Sequence, residues 1–315
     1  MRLFFKVKEK INKILMSYLF LYVYSLFYEK EYLKNKKDIV KKSNLVQLRV
    51  WEKLSKEVIF ILKNLHPRYF LASPAARIAY SPIGHTLVNC NKKYILKDLN
   101  LYSFYSSFLT EAYGFLDYQT AFSWIANWGS ILNFALEESS SDQSIPSSII
   151  EFGSGIGIFP IILSNKYQNT KFFLYDLPIM LSLQKVNHNY LSNLGFPINE
   201  SKFNYFDNLD DLKNNSPFLE SDENTFFIAY WSFSEAPLKL REKFIPILKV
   251  CSKVIIVSNA GISGIDNIKY FEDLSIILKN SHEYLKLKLP LENEFSNKNN
   301  VFKNHLIHIY TMKGN

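Results

Sequence analysis

The 315 residues read as an α/β chain: an open sheet domain over residues 141–315, behind a mostly helical N-terminal region over residues 1–140. Three observations predict this. From Ser147 onward, apolar runs short enough for buried strands alternate with segments of helical period. A glycine turn, Gly153, Gly155 and Gly157, joins the first such run to the first such helix. A hydrophobic content of 48% supplies enough apolar surface for two cores in a chain of this length.

The sheet domain is organised around Ser147 to Pro178, SSIIEFGSGIGIFPIILSNKYQNTKFFLYDLP. It reads as a strand ending in Glu151, the glycine turn, a helix, and a second strand ending in Asp176. Glycines let the backbone curl beneath a ligand, and the following helix offers its positive N-terminus. An acid closing the second strand can accept both hydroxyls of a ribose. Together these imply a nucleoside cofactor.

A dinucleotide site requires GxGxxG, whose third glycine admits close helix–strand packing beside the pyrophosphate. Here position 158 is isoleucine and the third glycine comes one residue early. The acid at the end of the first strand would repel a pyrophosphate, but it suits the ammonium and sulfonium of S-adenosyl-L-methionine. EFGSGIG therefore resembles motif I of the class I S-adenosylmethionine-dependent methyltransferases, and YDLP resembles the acidic end of their second strand. The resemblance implies that the loop Gly153, Ser154, Gly155 and Gly157 lies along the methionine part and that Asp176 holds the ribose. It also implies that Asp207, after the third strand, reaches the adenine amino group. Glu151, Leu177 and Trp231 complete the cofactor-binding set it suggests.

The rest of the domain keeps the alternation. Pro178 to Asn193 is expected as a helix with proline at its start and Gly195 past its end. Strands are expected at Phe203–Phe206, Phe226–Trp231 and Val254–Ser258, and helices at Pro237–Lys249 and Asn267–Lys279. Tyr284–Leu289 and His305–Met312 are expected as a closing antiparallel pair, with His305 and His308 on opposite faces. Five alternating units and a final pair match the Rossmann-like seven-stranded methyltransferase sheet.

The N-terminal region is less regular. Ile14–Tyr28 is an uncharged run of fifteen residues behind Arg2, Lys6, Lys8, Lys10 and Lys13. It is short of the roughly 20 apolar residues of a membrane span and lacks a small-residue cleavage site, so neither a span nor a signal peptide is expected. Packing on the rest of the protein is the favoured reading. Peripheral contact of residues 1–28 with an anionic membrane surface is the alternative. Ser43–Leu65 has helical spacing at Trp51, Leu54, Val58, Ile61 and Leu65, and Pro67 stops it. Leu87–Cys90 and Tyr94–Leu96 around Asn91, Lys92 and Lys93 read as a small hairpin, with His85 in the loop before it. Between Thr120 and Leu136, a stripe of Ala121, Trp124 or Ile125, Trp128, Ile131 or Leu132 and Ala135 predicts a core helix. The polar stretch EESSSDQSIPSS marks the domain boundary.

Charge is placed unevenly. Residues 1–100 carry 20 Lys and Arg against 7 Asp and Glu, whereas residues 101–315 carry 17 against 22, which argues against nucleic acid as a partner of the sheet domain. Cys90 and Cys251 are far apart and show no metal-binding spacing, so a reducing, cytoplasmic compartment and no structural zinc are expected.

Methyl transfer to oxygen is an in-line displacement in which a base removes the acceptor proton. Glu235 is the first candidate for that base, with the alternative that it is a first-turn acid of the helix after Pro237. His85 is the second candidate. The fifth strand ends in Asn259 rather than an acid, so no metal is assigned, although magnesium is not excluded. AYWSFSEAP, with a helical region ahead of motif I, is similar to sugar O-methyltransferases encoded with bacterial surface-polysaccharide genes, over residues 80–312. That likeness implies a sugar or glycan acceptor, with Trp231 and Phe233 as aromatic faces for a pyranose. It also implies a cytoplasmic location, peripheral at the inner membrane if residues 1–28 bind lipid. Two alternatives stand beside it: a small-molecule or lipid-quinone methyltransferase, and a non-catalytic, membrane-associated scaffold with the same fold. Oligomeric state is not legible in the sequence.

Overall fold

The computed structural model describes residues 59–60, 92–114, 118–139, 145–215, 224–262, 265–289 and 305–313. The expectations for Ile14–Tyr28 and for His85 lie outside these residues, as does most of Ser43–Leu65. Of that last segment Ile59 and Phe60 are described, both helical, with Phe60 buried in the core.

Helices α1 (Lys92–Lys97), α2 (Leu99–Ala112) and α3 (Tyr118–Glu138) precede the sheet. Then follow β1 (Ser148–Phe152), α4 (Ile158–Lys166), β2 (Lys171–Tyr175), α5 (Pro178–Asn193), β3 (Phe203–Phe206) and α6 (Leu209–Asn214). Next come β4 (Thr225–Tyr230), α7 (Ser232–Glu235), α8 (Leu238–Val250), β5 (Lys253–Ser258) and α9 (Asn267–Leu278). Strands β6 (His282–Lys288) and β7 (Leu306–Met312) close the domain. The seven strands form one sheet in the order β3-β2-β1-β4-β5-β7-β6, a Rossmann-like α/β architecture. The first five are parallel, and β7 runs antiparallel to both β5 and β6. Glu151 of β1 pairs with Leu174 of β2 and Ile228 of β4, so the first strand is central and its end sits mid-edge.

Burial explains the strand sequences. All five residues of β1 are buried, because helices cover both faces, and such a strand is apolar without alternation. Neighbouring side chains still go to opposite layers. Ile149, Ile228, Ile255 and Ile309 join the core shared with α2, α3, α4 and α5. Ile150, Phe227, Ile256 and Tyr310 join the core shared with α8 and α9. His308 lies in the second layer, 4.4 Å from the Phe271 ring, while His305 faces Trp231 in the first, as their spacing predicted.

The predicted stripe of α3 is buried throughout, but so are Ala126, Asn127, Gly129, Ser130 and Asn133. This helix is enclosed on nearly every side. At Gly129 a Cβ would overlap the Tyr102 ring, so the missing side chain is what lets α2 lie against α3.

The hairpin expected around Lys92 is not there: Lys92–Lys97 is helical. A three-residue apolar run does not distinguish strand from helix, and packing decides it. Tyr94 is buried edge-on to Phe134, with centroids 5.5 Å apart, and its carbonyl accepts from Asn133 Nδ2 at 3.2 Å. Helix α2 was not anticipated; its buried Tyr102, Tyr105, Leu109 and Ala112 keep helical spacing among serines and aromatic residues. Among the described residues, no helix is long and apolar enough to cross a membrane.

Helices α1–α3 are tied to the sheet domain by a polar contact as well as by the core. Lys166, ending α4, donates to Asp98 Oδ2 at 2.5 Å and to Asn133 Oδ1 at 2.8 Å, while Asn133 Nδ2 donates to Asp98 at 2.8 Å. Burial opposes the charge on both partners. Against that cost, the bonds from Lys166 and Asn133 hold the Asp98 carboxyl below its ordinary value, while Lys166 remains below its own. The stabilisation is therefore present above the ordinary carboxylate range and lost as pH falls through the folded-state value. Replacing Asp98 by Ala strands a largely buried ammonium and is expected to cost about 2–4 kcal/mol, between exposed and buried pairs. Adding Lys166→Met should recover part of that loss. Denaturant unfolding of both variants checks this, and a double variant less stable than Asp98→Ala alone would contradict it.

Candidate functional site

Five parallel strands end at one edge of the sheet, and the polar residues that follow them face one another there. The loop from Gly153 to Gly157 occupies the middle of this edge. Gly153, Gly155 and Gly157 have φ of 75°, 60° and 78°, the left-handed region that side chains disfavour. Space also demands glycine at two of these positions. A Cβ at Gly153 would overlap Ser232, whose hydroxyl donates to Phe152 O, and a Cβ at Gly157 would lie 2.7 Å from His188 Nε2.

The loop carbonyls are held from one side. Gln184, Asn187 and His188 lie at i, i+3 and i+4 on α5 and are buried along one helical face. Gln184 Nε2 donates to Gly155 O at 3.0 Å, Asn187 Nδ2 to Ile156 O at 3.2 Å, and His188 Nε2 to Gly157 O at 2.9 Å. The tautomer follows from its partners: Nε2 must donate to a carbonyl, and Nδ1 accepts from the Tyr205 hydroxyl at 2.6 Å. Burial pushes the His188 pKa down to about 4, which keeps the ring neutral. Sequence reasoning missed this triad, although Gln184, Asn187 and His188 at i, i+3 and i+4 of one predicted helix were its visible signal.

Asp176 is half-buried just beyond β2. Its Oδ2 accepts from Gly155 N–H at 3.1 Å and from Gln184 Nε2 at 3.0 Å, and its Oδ1 accepts from Leu177 N–H at 2.8 Å. Leu177 thus contributes its backbone. Burial raises the Asp176 pKa to about 7, and the bonds from Leu177, Gly155 and Gln184 restrain the rise. Glu151 is more extreme: burial, then the nearby Asp176 carboxylate, push it up to about 8, and Ser154 offsets this only in part. Ser154 Oγ lies close enough to lower that value, yet not in hydrogen-bonding geometry.

Five buried side-chain polar atoms among the described residues lack a hydrogen-bond partner, and three of them, Glu151 Oε2, Ser154 Oγ and Gln184 Oε1, surround the glycine loop. Buried polar atoms are ordinarily paired. Two of the three are carboxyl or amide oxygens, so the site has spare acceptors and calls for a ligand rich in donors or positive charge. The set fits a cationic, hydroxyl-bearing nucleoside and opposes a pyrophosphate.

Beside the loop, Trp231 leaves β4 at φ 62°, a strained conformation for a non-glycine residue, so β4 ends at Tyr230 rather than at Trp231. Its N–H donates to Val257 O at 2.8 Å and its indole Nε1 to His305 Nδ1 at 2.9 Å. The turn launches α7, which ends in half-buried Glu235. Below it the buried Arg241 donates to Ala236 O and to Asn267 Oδ1, each at 2.8 Å, and to Ser234 O. The charge of Glu235 is felt at this guanidinium. Asp207 is exposed directly after β3 and borders a cavity of about 670 Å³ that includes Tyr175, Pro178, Leu240 and Lys243.

Glu151, Ser154, Asp176, Leu177 and the three glycines are therefore gathered at the loop, with Asp207 on one side of the edge and Trp231 and Glu235 on the other. The aromatic faces require correction. Phe233 is fully buried among Phe152, Phe227, Phe244 and Phe271, because α7 turns it inward, and Trp231 as a residue is only 3% exposed. Neither offers an open face to a sugar. Asn259 Oδ1 accepts from Asn267 at 2.7 Å, and no three His, Cys, Asp or Glu side chains converge among the described residues.

No protein-family model matches the chain, and no curated protein does. Among solved structures it is similar to StiE O-MT residues 961–1257, with TM-score 0.43 and 12% identity over 65% of this chain and 81% of that one. It is similar also to the methyltransferase domain of bacterial CtHen1-C, with TM-score 0.41 and 10% identity over 58% and 97%. A SAM-dependent methyltransferase from Aquifex aeolicus gives TM-score 0.36 and 15% identity over 56% and 88%.

Because the folded-state pKa of Glu151 lies above its ordinary 4.5, the folded chain holds a proton that the unfolded chain releases. Stability from this group is complete below the ordinary value and is lost as pH rises toward about 8. Asp176 contributes in the same direction up to about 7. Glu151→Gln should flatten this decline and leave the ligand-free protein more stable than wild type at pH 8, by several degrees in Tm. A variant less stable than wild type at pH 8 would show that the carboxyl is not an electrostatic burden.

Proposed function

We propose that the chain is an S-adenosylmethionine-dependent O-methyltransferase acting on a hydroxyl of a sugar or glycan precursor. The observation that carries the cofactor reading is the set of three unpartnered buried oxygens around a left-handed glycine loop, one of them on the raised Glu151 carboxyl and one on Gln184, which bonds the raised Asp176. Glu151 and Ser154 would take the ammonium end, Asp176 the ribose hydroxyls with Leu177 orienting it, and Asp207 the adenine amino group. S-adenosylmethionine, when bound, supplies an electrophilic methyl group on a sulfonium.

The chain's own contribution is alignment and proton removal. Glu235, at the end of the α7 turn, would accept the proton of the acceptor hydroxyl, and the buried Arg241 beneath it fixes that turn through the Ala236 and Ser234 carbonyls. His85 is the second candidate for this role. The sugar acceptor rests on the likeness of the AYWSFSEAP segment to sugar O-methyltransferases. With Trp231 and Phe233 buried, the acceptor would be recognised by polar groups at the edge rather than by ring stacking.

Calorimetry with S-adenosylhomocysteine tests the cofactor, with NAD as the competing nucleotide. Wild type should bind the first and not the second. Asp176→Ala should weaken binding about 10- to 100-fold, the loss of one or two charge-assisted hydrogen bonds. Because Glu151 must give up its proton to face an ammonium, binding should release protons and tighten as pH rises through about 8. Preference for NAD, or no binding of S-adenosylhomocysteine, would overturn the reading. With an acceptor found by screening glycan precursors, small phenols and quinones, Glu235→Gln should lower kcat about 10²- to 10⁴-fold while cofactor affinity holds. Turnover confined to phenols or quinones would exclude the sugar.

A further inference from the structure

The triad on α5 does not stand alone. Asn187 is fully buried, and its amide has a fixed orientation: Nδ2 faces the Ile156 carbonyl, which can only accept, so Oδ1 must be met by a donor. That donor is the Tyr113 hydroxyl, at 2.9 Å, from the residue that caps the C-terminal end of α2. Tyr113 is itself fully buried, and its ring stands edge-on to Tyr190 of α5 at 5.9 Å. A second tether lies beside the first but leads nowhere near the loop: Tyr190 OH donates to Ala112 O at 2.7 Å.

We infer that Tyr113 is a positioning residue for the glycine loop, acting from the helical layer through the relay Tyr113–Asn187–Ile156. Without the phenolic hydroxyl, the buried Asn187 oxygen has no partner. With that oxygen unsatisfied, the amide is no longer held in the orientation that presents Nδ2 to the Ile156 carbonyl in the middle of the loop. The N-terminal helices would thereby set how well residues 153–157 hold their ligand-ready shape. The assignment rests on the cofactor reading of the loop for its functional meaning, but the relay itself is testable without any ligand.

Hydrogen exchange of the full-length chain, read at residues 153–157 and at β4 as an internal reference, tests the relay. Tyr113→Phe should speed exchange in the loop about tenfold, the effect of one lost buried hydrogen bond, and leave β4 unchanged. Tyr190→Phe cuts the neighbouring tether and should leave the loop at the wild-type rate. Asn187→Leu removes the amide in the middle of the relay and with it both bonds; it should reproduce the faster loop exchange, and adding Tyr113→Phe to it should change nothing further in the loop. Where S-adenosylhomocysteine binds wild type, Tyr113→Phe should weaken it about tenfold with kcat at saturating cofactor preserved. If Tyr113→Phe does not fold, Asn187→Leu alone carries the test. Unchanged loop exchange in whichever of these variants folds, or equal acceleration by Tyr190→Phe, overturns the relay. Faster loop exchange in a protein that does not bind S-adenosylhomocysteine supports the relay and removes the cofactor.

Discussion

The structure depends on one backbone constraint: between β1 and α4 the chain must reverse through three left-handed glycines while every carbonyl from Gly155 to Gly157 is hydrogen-bonded to α5. Most neighbouring features follow from this. The loop can lie so close to α5 only because a Cβ at Gly157 is absent. It can approach the β4 edge only because Gly153 clears Ser232, and Ser232 begins α7 only because Trp231 accepts a strained turn. With its carbonyls directed to α5, the loop leaves the β1 carboxylate, the Ser154 hydroxyl and the Gln184 carbonyl oxygen in search of partners.

The electrostatic consequence is a site whose carboxyl groups are costly to ionise. Burial raises both Glu151 and Asp176, and Glu151 additionally feels the Asp176 charge. Elsewhere the same fold resolves its buried charges internally: Asp98 with Lys166, and Arg241 with two carbonyls, an amide and the Tyr270 ring. The contrast sets charges satisfied within the fold apart from Glu151 Oε2, Ser154 Oγ and Gln184 Oε1, which have no hydrogen-bond partner. On the opposite face of β1 from Glu151, Phe152 packs among Tyr175, Phe233 and Phe244, so that layer is satisfied by aromatic contacts alone.

Much of this was legible in the residues. The strand pattern, the glycine spacing and the acid after β2 were each readable because local chemistry admits few alternatives: a buried parallel strand must be apolar, and a left-handed turn asks for glycine. Pro178 and Gly195 marked the ends of α5 for the same reason. What escaped were features decided by contacts across the chain. Tyr94–Leu96 is too short to declare its period, and its packing on α3 made it helix. Phe233 lies in the middle of the polar-flanked WSFSE segment but is carried inward by the backbone turn at Trp231, which no propensity announces. Gln184, Asn187 and His188 of α5 are the loop's anchors, and their roles appear only once Tyr113 and the loop are placed beside them.

The central claim is that Glu151 is a buried acid whose missing partner is a cation of the ligand. Carbon-13 NMR of glutamate-labelled protein, with Glu151→Gln used to assign the signal, measures its protonation directly. In the ligand-free chain the Glu151 carboxyl should titrate near 8, and saturating S-adenosylmethionine should move its titration down into the ordinary carboxylate range. A carboxyl already ionised at pH 6 without ligand, or one whose titration the ligand leaves in place, would contradict the account.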